Sequence, residues 1–278
     1  MKFLANIPVL LLVALMCACH DSTPDSVAPK LVVEGWINSG GYPEVLLNMS
    51  MVPTENEGSV SESVIRWGVV TLNDGEREII LTGGPDNSFF PPYHYYSFDM
   101  KGEPGRTYTI TASYKGLTAT SAVTMPVPPH IDAIDVTPVE GIDTLRHITV
   151  RFKAPEDCPA YYHLTAKLHS NDGREYPCML GTHEATVPCK EVSLPVYRGH
   201  GSATTGKYEA DMPVGETVTV TLARVSREVF LFWRAYDNAS LVDGSIFVGS
   251  PGSLPSNVEG GYGVWSAQGV ATRTVTVE

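Results

Sequence analysis

From residue 30 onward the chain alternates apolar and polar positions in short runs separated by turn residues. Leu31-Val32-Val33-Glu34-Gly35-Trp36-Ile37 is rich in β-branched and aromatic residues, and Val64 to Leu72 is similar. Asn73-Asp74-Gly75 joins that second run to Glu78-Ile79-Ile80-Leu81, a hairpin signal. Tyr108 to Tyr114 alternates strictly and turns at Lys115-Gly116 into Leu117 to Met125, so each strand can bury one face and wet the other. About six or seven strands fit between residues 30 and 125, at the spacing an immunoglobulin-like β-sandwich requires.

Three prolines within Pro126-Val127-Pro128-Pro129 remove backbone donors and favour extended chain, which places a linker at 126–130. Beyond it, Ile131 to Val136, Ile148 to Phe152, Tyr161 to Leu168 and Val218 to Ala223 again read as strands, and Asn171-Asp172-Gly173 as a hairpin turn. Residues 131–278 are therefore expected to form a second, mainly β domain. One segment has helical period. With Ser226 as N-cap, Val229, Phe232, Trp233 and Tyr236 recur at three- and four-residue spacing between Arg227 and Ser240. Phe230 and Leu231 lie off that stripe, so the helix is buried on more than one side, or Phe230 to Trp233 is a strand. The aromatic face reads as core, since it offers no polar group to orient a cofactor.

The run Asn257 to Trp265 contains Gly260, Gly261 and Gly263, which allow positive φ and close backbone approach, followed by Trp265 as an apolar anchor. No Lys-Ser/Thr pair follows, so it is not a phosphate loop. A bulge or tight turn closing the second domain is expected, with Val270 to Val277 as the final strand.

The N-terminus has a different pattern. Lys2 supplies a positive start, Leu4 to Met16 an apolar run, and Ala18 a small residue directly before Cys19. This reads as a lipoprotein signal peptide over 1–18, with Cys19 as the lipid attachment site and 19–29 as a flexible tether. Cys17 is the weaker candidate because the bulky Met16 precedes it. The apolar run is shorter than the roughly 20 residues that cross a bilayer as a helix.

Charge narrows the partners. The chain carries 19 Lys+Arg against 31 Asp+Glu, a formal net charge of −12, and shows no basic stripe. That argues against nucleic acid, whose phosphates are held by clustered cations. It equally argues against electrostatic adsorption to anionic lipid, leaving the acyl group to hold the membrane. Beyond the signal lie Cys158, Cys178 and Cys189. Cys178 and Cys189 could close a loop as a disulfide, leaving Cys158 free. His163, His169 and His183 lack metal-ligand spacing, and neither metal nor cofactor is expected. There is no GxSxG, HExxH or P-loop, and a hydrolase without a recognisable motif is the least favoured reading.

The best binding candidate is the loop Gly83 to Tyr96. Pro91 and Pro92 stiffen it, while Phe89, Phe90, Tyr93 and Tyr95 offer flat faces suited to a glycan, a peptide or a partner protein. The competing reading folds these rings over the sandwich edge as core.

Lys30 to Ile37, the strand entry Gly105-Arg106-Thr107-Tyr108, the exit Ala122 to Pro126 and above all Ser256-Asn257-Val258-Glu259-Gly260-Gly261-Tyr262-Gly263-Val264-Trp265 carry a resemblance. Across the whole mature chain the sequence resembles a large Bacteroidota family of outer-membrane lipoproteins of unknown function, the domain of unknown function 4249 family. The proline-aromatic loop and the three cysteines depart from its pattern. The resemblance implies a lipid-anchored outer-membrane protein, on the periplasmic face or the cell surface, assisting a TonB-dependent uptake receptor. It supplies no catalytic residue. The rival expectation is an adhesin or assembly component that binds through sandwich edges or the aromatic loop.

Overall fold

The computed structural model describes residues 28–51, 63–170, 175–198, 210–243 and 254–278. The signal segment 1–18, Cys19, the tether to residue 27 and the turn Asn171-Asp172-Gly173 lie outside the described residues.

The alternation in the first half resolves into β1 (Leu31–Asn38), β2 (Pro43–Met49), β3 (Val69–Asn73), β4 (Glu78–Ile80), β5 (Thr82–Gly84), β6 (His94–Tyr96), β7 (Thr107–Tyr114) and β8 (Leu117–Thr124). They pair in the orders β1-β2-β6-β5 and β4-β3-β7-β8. These are the A-B-E-D and C′-C-F-G orders of an immunoglobulin-like sandwich, as the spacing predicts. The turns behave as their residues require. Gly75 N donates to Asn73 Oδ1 at 2.7 Å, and Lys115 and Gly116 both take positive φ, 48° and 81°, the paired left-handed geometry that matches the twist of two-residue hairpins. Tyr108, near the start of β7, forms a tyrosine corner: its hydroxyl donates to Lys101 O at 3.2 Å and accepts from Glu103 N at 2.7 Å.

The second half contributes β9 (Ile131–Val139), β10 (Ile142–Lys153), β11 (Ala160–Leu168), β12 (Glu175–Ala185), β13 (Glu191–Val196), β14 (Met212–Pro213), β15 (Thr217–Val225), α1 (Arg227–Asp243) and β16 (Gly261–Thr276). β10 pairs with β9 on one side and with β13 and β14 on the other. β11 pairs with β12 and β15. Between these layers lies a second core that includes Val150, Phe152, Tyr162, Leu164, Val220 and Leu222, with the rings of Phe152 and Tyr162 4.7 Å apart.

The glycine-rich closing motif does not close the second unit, as the sequence suggests; it completes the first. β16 runs for 16 residues, roughly 50 Å of extended chain. Its first half, Gly261 to Gln268, pairs parallel with β1, and its second half, Gly269 to Thr276, pairs antiparallel with β15. One eight-stranded sheet, β12-β11-β15-β16-β1-β2-β6-β5, therefore passes through both units. Trp265 lies in the first core at 0% exposure, and its indole Nε1 donates to Tyr108 O at 3.0 Å.

The glycines explain how β16 enters. Thr120 of β8 and Glu259 exchange backbone hydrogen bonds at 2.9 and 2.8 Å, after which the chain crosses to β1. Gly263 has φ +109°, and a Cβ there would lie 2.0 Å from Val33 O. Where β15 no longer reaches, Asn257 takes its place, accepting from Trp265 N at 2.9 Å and donating to Trp265 O at 2.8 Å.

Two substitutions test this junction by urea unfolding. Trp265→Ala is expected to cost about 3–5 kcal/mol, as for other buried large aromatics. Gly263→Ala is expected to cost more than Gly116→Ala: both have positive φ, but open space surrounds Gly116, so only the hairpin substitution escapes the backbone clash.

Candidate functional site

Strand alternation sorts the shared sheet into two faces. Leu31, Val33 and Ile37 of β1 and Trp265 and Ala267 of β16 point into the first core, while Leu164, Ala166, Val220 and Leu222 point into the second. The intervening residues face outward on the opposite side. There Glu34, Trp36 and Asn38 of β1, Val264, Ser266, Gln268 and Val270 of β16, Thr221 and Ala223 of β15, His163 and Thr165 of β11, and Glu175 and Pro177 of β12 surround a cavity of about 170 Å³.

The helix closes one side of this cavity. Ser226 caps it as its position predicts: Ser226 Oγ accepts from Val229 N at 3.4 Å and Ser226 O from Phe230 N at 3.0 Å. Val229 and Phe230 are buried in an apolar cluster with Ala223, Val225 and Val264, and Phe230 packs on Tyr161 at 5.1 Å. Phe230, off the expected stripe, is thus more buried than Phe232 or Trp233, because the helix rests on β11, β12 and β16 together. Trp233 projects to the cavity wall and stacks on His163, ring centroids 4.5 Å apart and planes 10° from parallel.

Burial sets the electrostatics. Desolvation pushes the His163 imidazole down to about 3, so the ring is neutral at neutral pH. Desolvation likewise raises the Glu34 carboxyl and pushes the Tyr236 phenol up to about 12, with the Glu34 and Asp237 charges adding to the effect. Asn38 Oδ1 and Ser266 Oγ are buried without a hydrogen-bond partner among the described residues. Such orphaned groups are uncommon in folded proteins.

The aromatic loop divides between the two readings. Tyr95 is core at 2% exposure, its hydroxyl donating to Ile65 O at 2.7 Å and accepting from Gly68 N at 3.0 Å. Tyr93 packs edge-on against it at 5.7 Å and donates to Arg66 O at 3.0 Å. These two rings hold the chain entering β3. Phe90 points to solvent at 63% exposure. Phe89 joins a strip of rings on the sheet's outer face: Trp36–Phe89 at 6.1 Å, Phe89–His94 at 4.8 Å, His94–Tyr96 at 4.7 Å, Tyr96–Phe98 at 5.4 Å and Phe98–Tyr42 at 5.1 Å. His94 Nδ1 meets Glu44 Oε2 at 2.5 Å beneath the strip. The strip begins at Trp36, a cavity wall, so loop and cavity form one continuous surface.

The disulfide considered between Cys178 and Cys189 is not formed. Cys178 is fully buried in the second core, Cys189 sits in an exposed turn, and Cys158, Cys178 and Cys189 are free thiols. Burial raises the Cys178 thiol well above the usual range. His163 and His169 serve separately, the first against Trp233 and the second bonding Thr219 Oγ1 at 2.8 Å.

The match to a known family covers residues 21–274, with a model described as Domain of unknown function (DUF4249). The chain belongs to this family. No curated protein matches the sequence. The DUF4249 match spans both units and the closing strand, consistent with their being joined by one sheet. Sequence reading missed Glu34, Asn38, His163 and Ser266 as a group. The available signal was the placement of polar residues at outward positions of otherwise apolar strands.

Tyr95→Ala is expected to destabilise by about 3 kcal/mol or more, losing core volume and two hydrogen bonds. Phe90→Ala should stay within about 0.5 kcal/mol, as for other exposed positions, and thermal unfolding separates the two. His163, protonated near 6.5 when unfolded but held to about 3 when folded, contributes stability that is complete above about 6.5 and lost as pH falls toward 3. Glu34 acts in the opposite sense, its raised carboxyl favouring the fold below 4.5 and losing that contribution at higher pH. His163→Gln should therefore flatten the acid-side fall in melting temperature.

Proposed function

We propose that this DUF4249 protein is a lipid-anchored, non-enzymatic binding protein of a bacterial outer membrane, held by an acyl group on Cys19 and assisting a TonB-dependent uptake receptor. The observation that carries the binding reading is the continuous surface formed by the ring strip Trp36-Phe89-His94-Tyr96-Phe98 and the cavity at its end. Rigid aromatic faces lose little entropy on contact, and a partly polar cavity beside them supplies orientation. The membrane assignment is supported by the Leu4 to Met16 apolar run ending at Ala18-Cys19 and by the resemblance of the mature chain to outer-membrane lipoproteins.

The adhesin alternative would bind through an open sheet edge or the aromatic loop, and the edges of the shared sheet are poorly suited to the first route. β5 has 3 residues. β12 is longer, but its pairing with β11 breaks between Thr182 and Pro177, with Leu180 at φ 55° in the bulge. Short and bulged edges oppose strand addition.

Affinity purification of the tagged protein from native outer membranes, with a Cys19→Ala control, tests the proposal. One co-purified TonB-dependent receptor, lost with the control, is the expected result. Well-solubilised membranes that yield no receptor would reject the accessory role.

A further inference from the structure

The cavity beneath α1 is unbalanced in charge and in hydrogen-bonding groups. The described residues that line it include two carboxylates, Glu34 and Glu175, and no Lys or Arg. The largest influence on Glu34 is desolvation, with no cation beside it among the described residues. A carboxylate so placed is normally paired. His163 is neutral and brings no positive charge. Two groups lack a hydrogen-bond partner among the described residues: Asn38 Oδ1, which can only accept, and Ser266 Oγ, whose residue is 3% exposed. Trp36 and Trp233 add aromatic surface to the walls.

Each ligand class would meet these groups differently. An anion would face carboxylates with no compensating cation. An apolar ligand would leave Asn38 and Ser266 unpaired. A neutral polyol could satisfy those two but offers no positive charge to the Glu34 and Glu175 carboxyls. A ligand bringing both positive charge and N–H donors meets the Glu34 carboxyl and Ser266 Oγ together, and the Trp36 indole attracts it through its quadrupole.

We propose that this cavity binds a small organic ammonium group, with Glu34 as counter-ion, Ser266 Oγ as an acceptor for its N–H donors, and Trp36 as a cation–π wall. The proposal rests on the cavity being a ligand site, but requires neither the lipid anchor nor the receptor. The ammonium group could belong to a free amine or to a lysine of a peptide, and the chemistry at the cavity is the same.

Calorimetric titration of the full chain in non-ionic detergent tests it with a series of small two-carbon ligands: ethanolamine, ethylene glycol and glycolate, which are cationic, neutral and anionic. Nα-acetyl-lysine methylamide supplies the peptide arm. Saturable binding of ethanolamine or the lysine analogue, at least about tenfold tighter than ethylene glycol and weakened about tenfold or more by Glu34→Gln, is expected from a charge-assisted contact. Ser266→Ala should weaken it a few-fold while leaving the melting temperature intact, and it decides the matter if Glu34→Gln does not fold. Binding of ethanolamine identifies a site open to free amines, and binding of the lysine analogue alone identifies a peptide side chain; either supports the proposal. Equal affinity for ethylene glycol, preference for glycolate, no saturable binding of either amine, or amine binding unchanged in both variants would overturn it. Because the titration uses no membrane partner, its failure is distinct from failure of the receptor reading.

Discussion

The structure depends on one shared strand. β16 must satisfy backbone donors and acceptors along its full length, and it does so with different neighbours at its two ends, β1 in the first unit and β15 in the second. Because unpaired buried backbone groups are costly, neither unit can complete its sheet without this segment. Trp265 ties the pairing to the first core, and the close approach of Gly263 to Val33 lets the parallel register form. The two units are therefore parts of one fold, although a proline-rich connection joins β8 to β9.

That arrangement also creates the candidate site. A sheet whose inward faces fill two separate cores leaves one long outward face, and α1 covers only part of it. Polar residues sit at the uncovered outward positions because the chain there need not be apolar. Where the helix and the sheet enclose them, Glu34, His163, Ser266 and Asn38 come together from three strands far apart in sequence. The aromatic strip continues the same face over β2 and β6, so shape and chemistry at the site follow from alternation along the strands rather than from a dedicated loop.

Several features were legible beforehand because they are local. The hairpins at Asn73-Asp74-Gly75 and Lys115-Gly116, the alternation of Tyr108 to Tyr114, the Ser226 cap and the helix after it all depend on residues within a few positions of one another. The dual nature of the 83–96 loop was only half legible. Composition marked its rings as important, but whether Tyr95 lies in the core and Phe89 on the surface depends on which face of β6 each meets, and on Ile65 and Gly68 arriving from elsewhere.

By itself, the sequence determined a mainly β chain, an immunoglobulin-like first half and a helical period after Ser226, since period and turn chemistry act over short distances. It also determined that Gly260 to Trp265 would be structural, since glycines beside a large anchor suit close backbone packing. Only the tertiary structure decided which sheet that motif completes, that Cys178 and Cys189 stay apart, and that four polar residues from β1, β11 and β16 share one cavity. Those outcomes are set by strand order and parallel pairing across more than two hundred positions, and a contact at that separation leaves no periodic trace in the residues that make it.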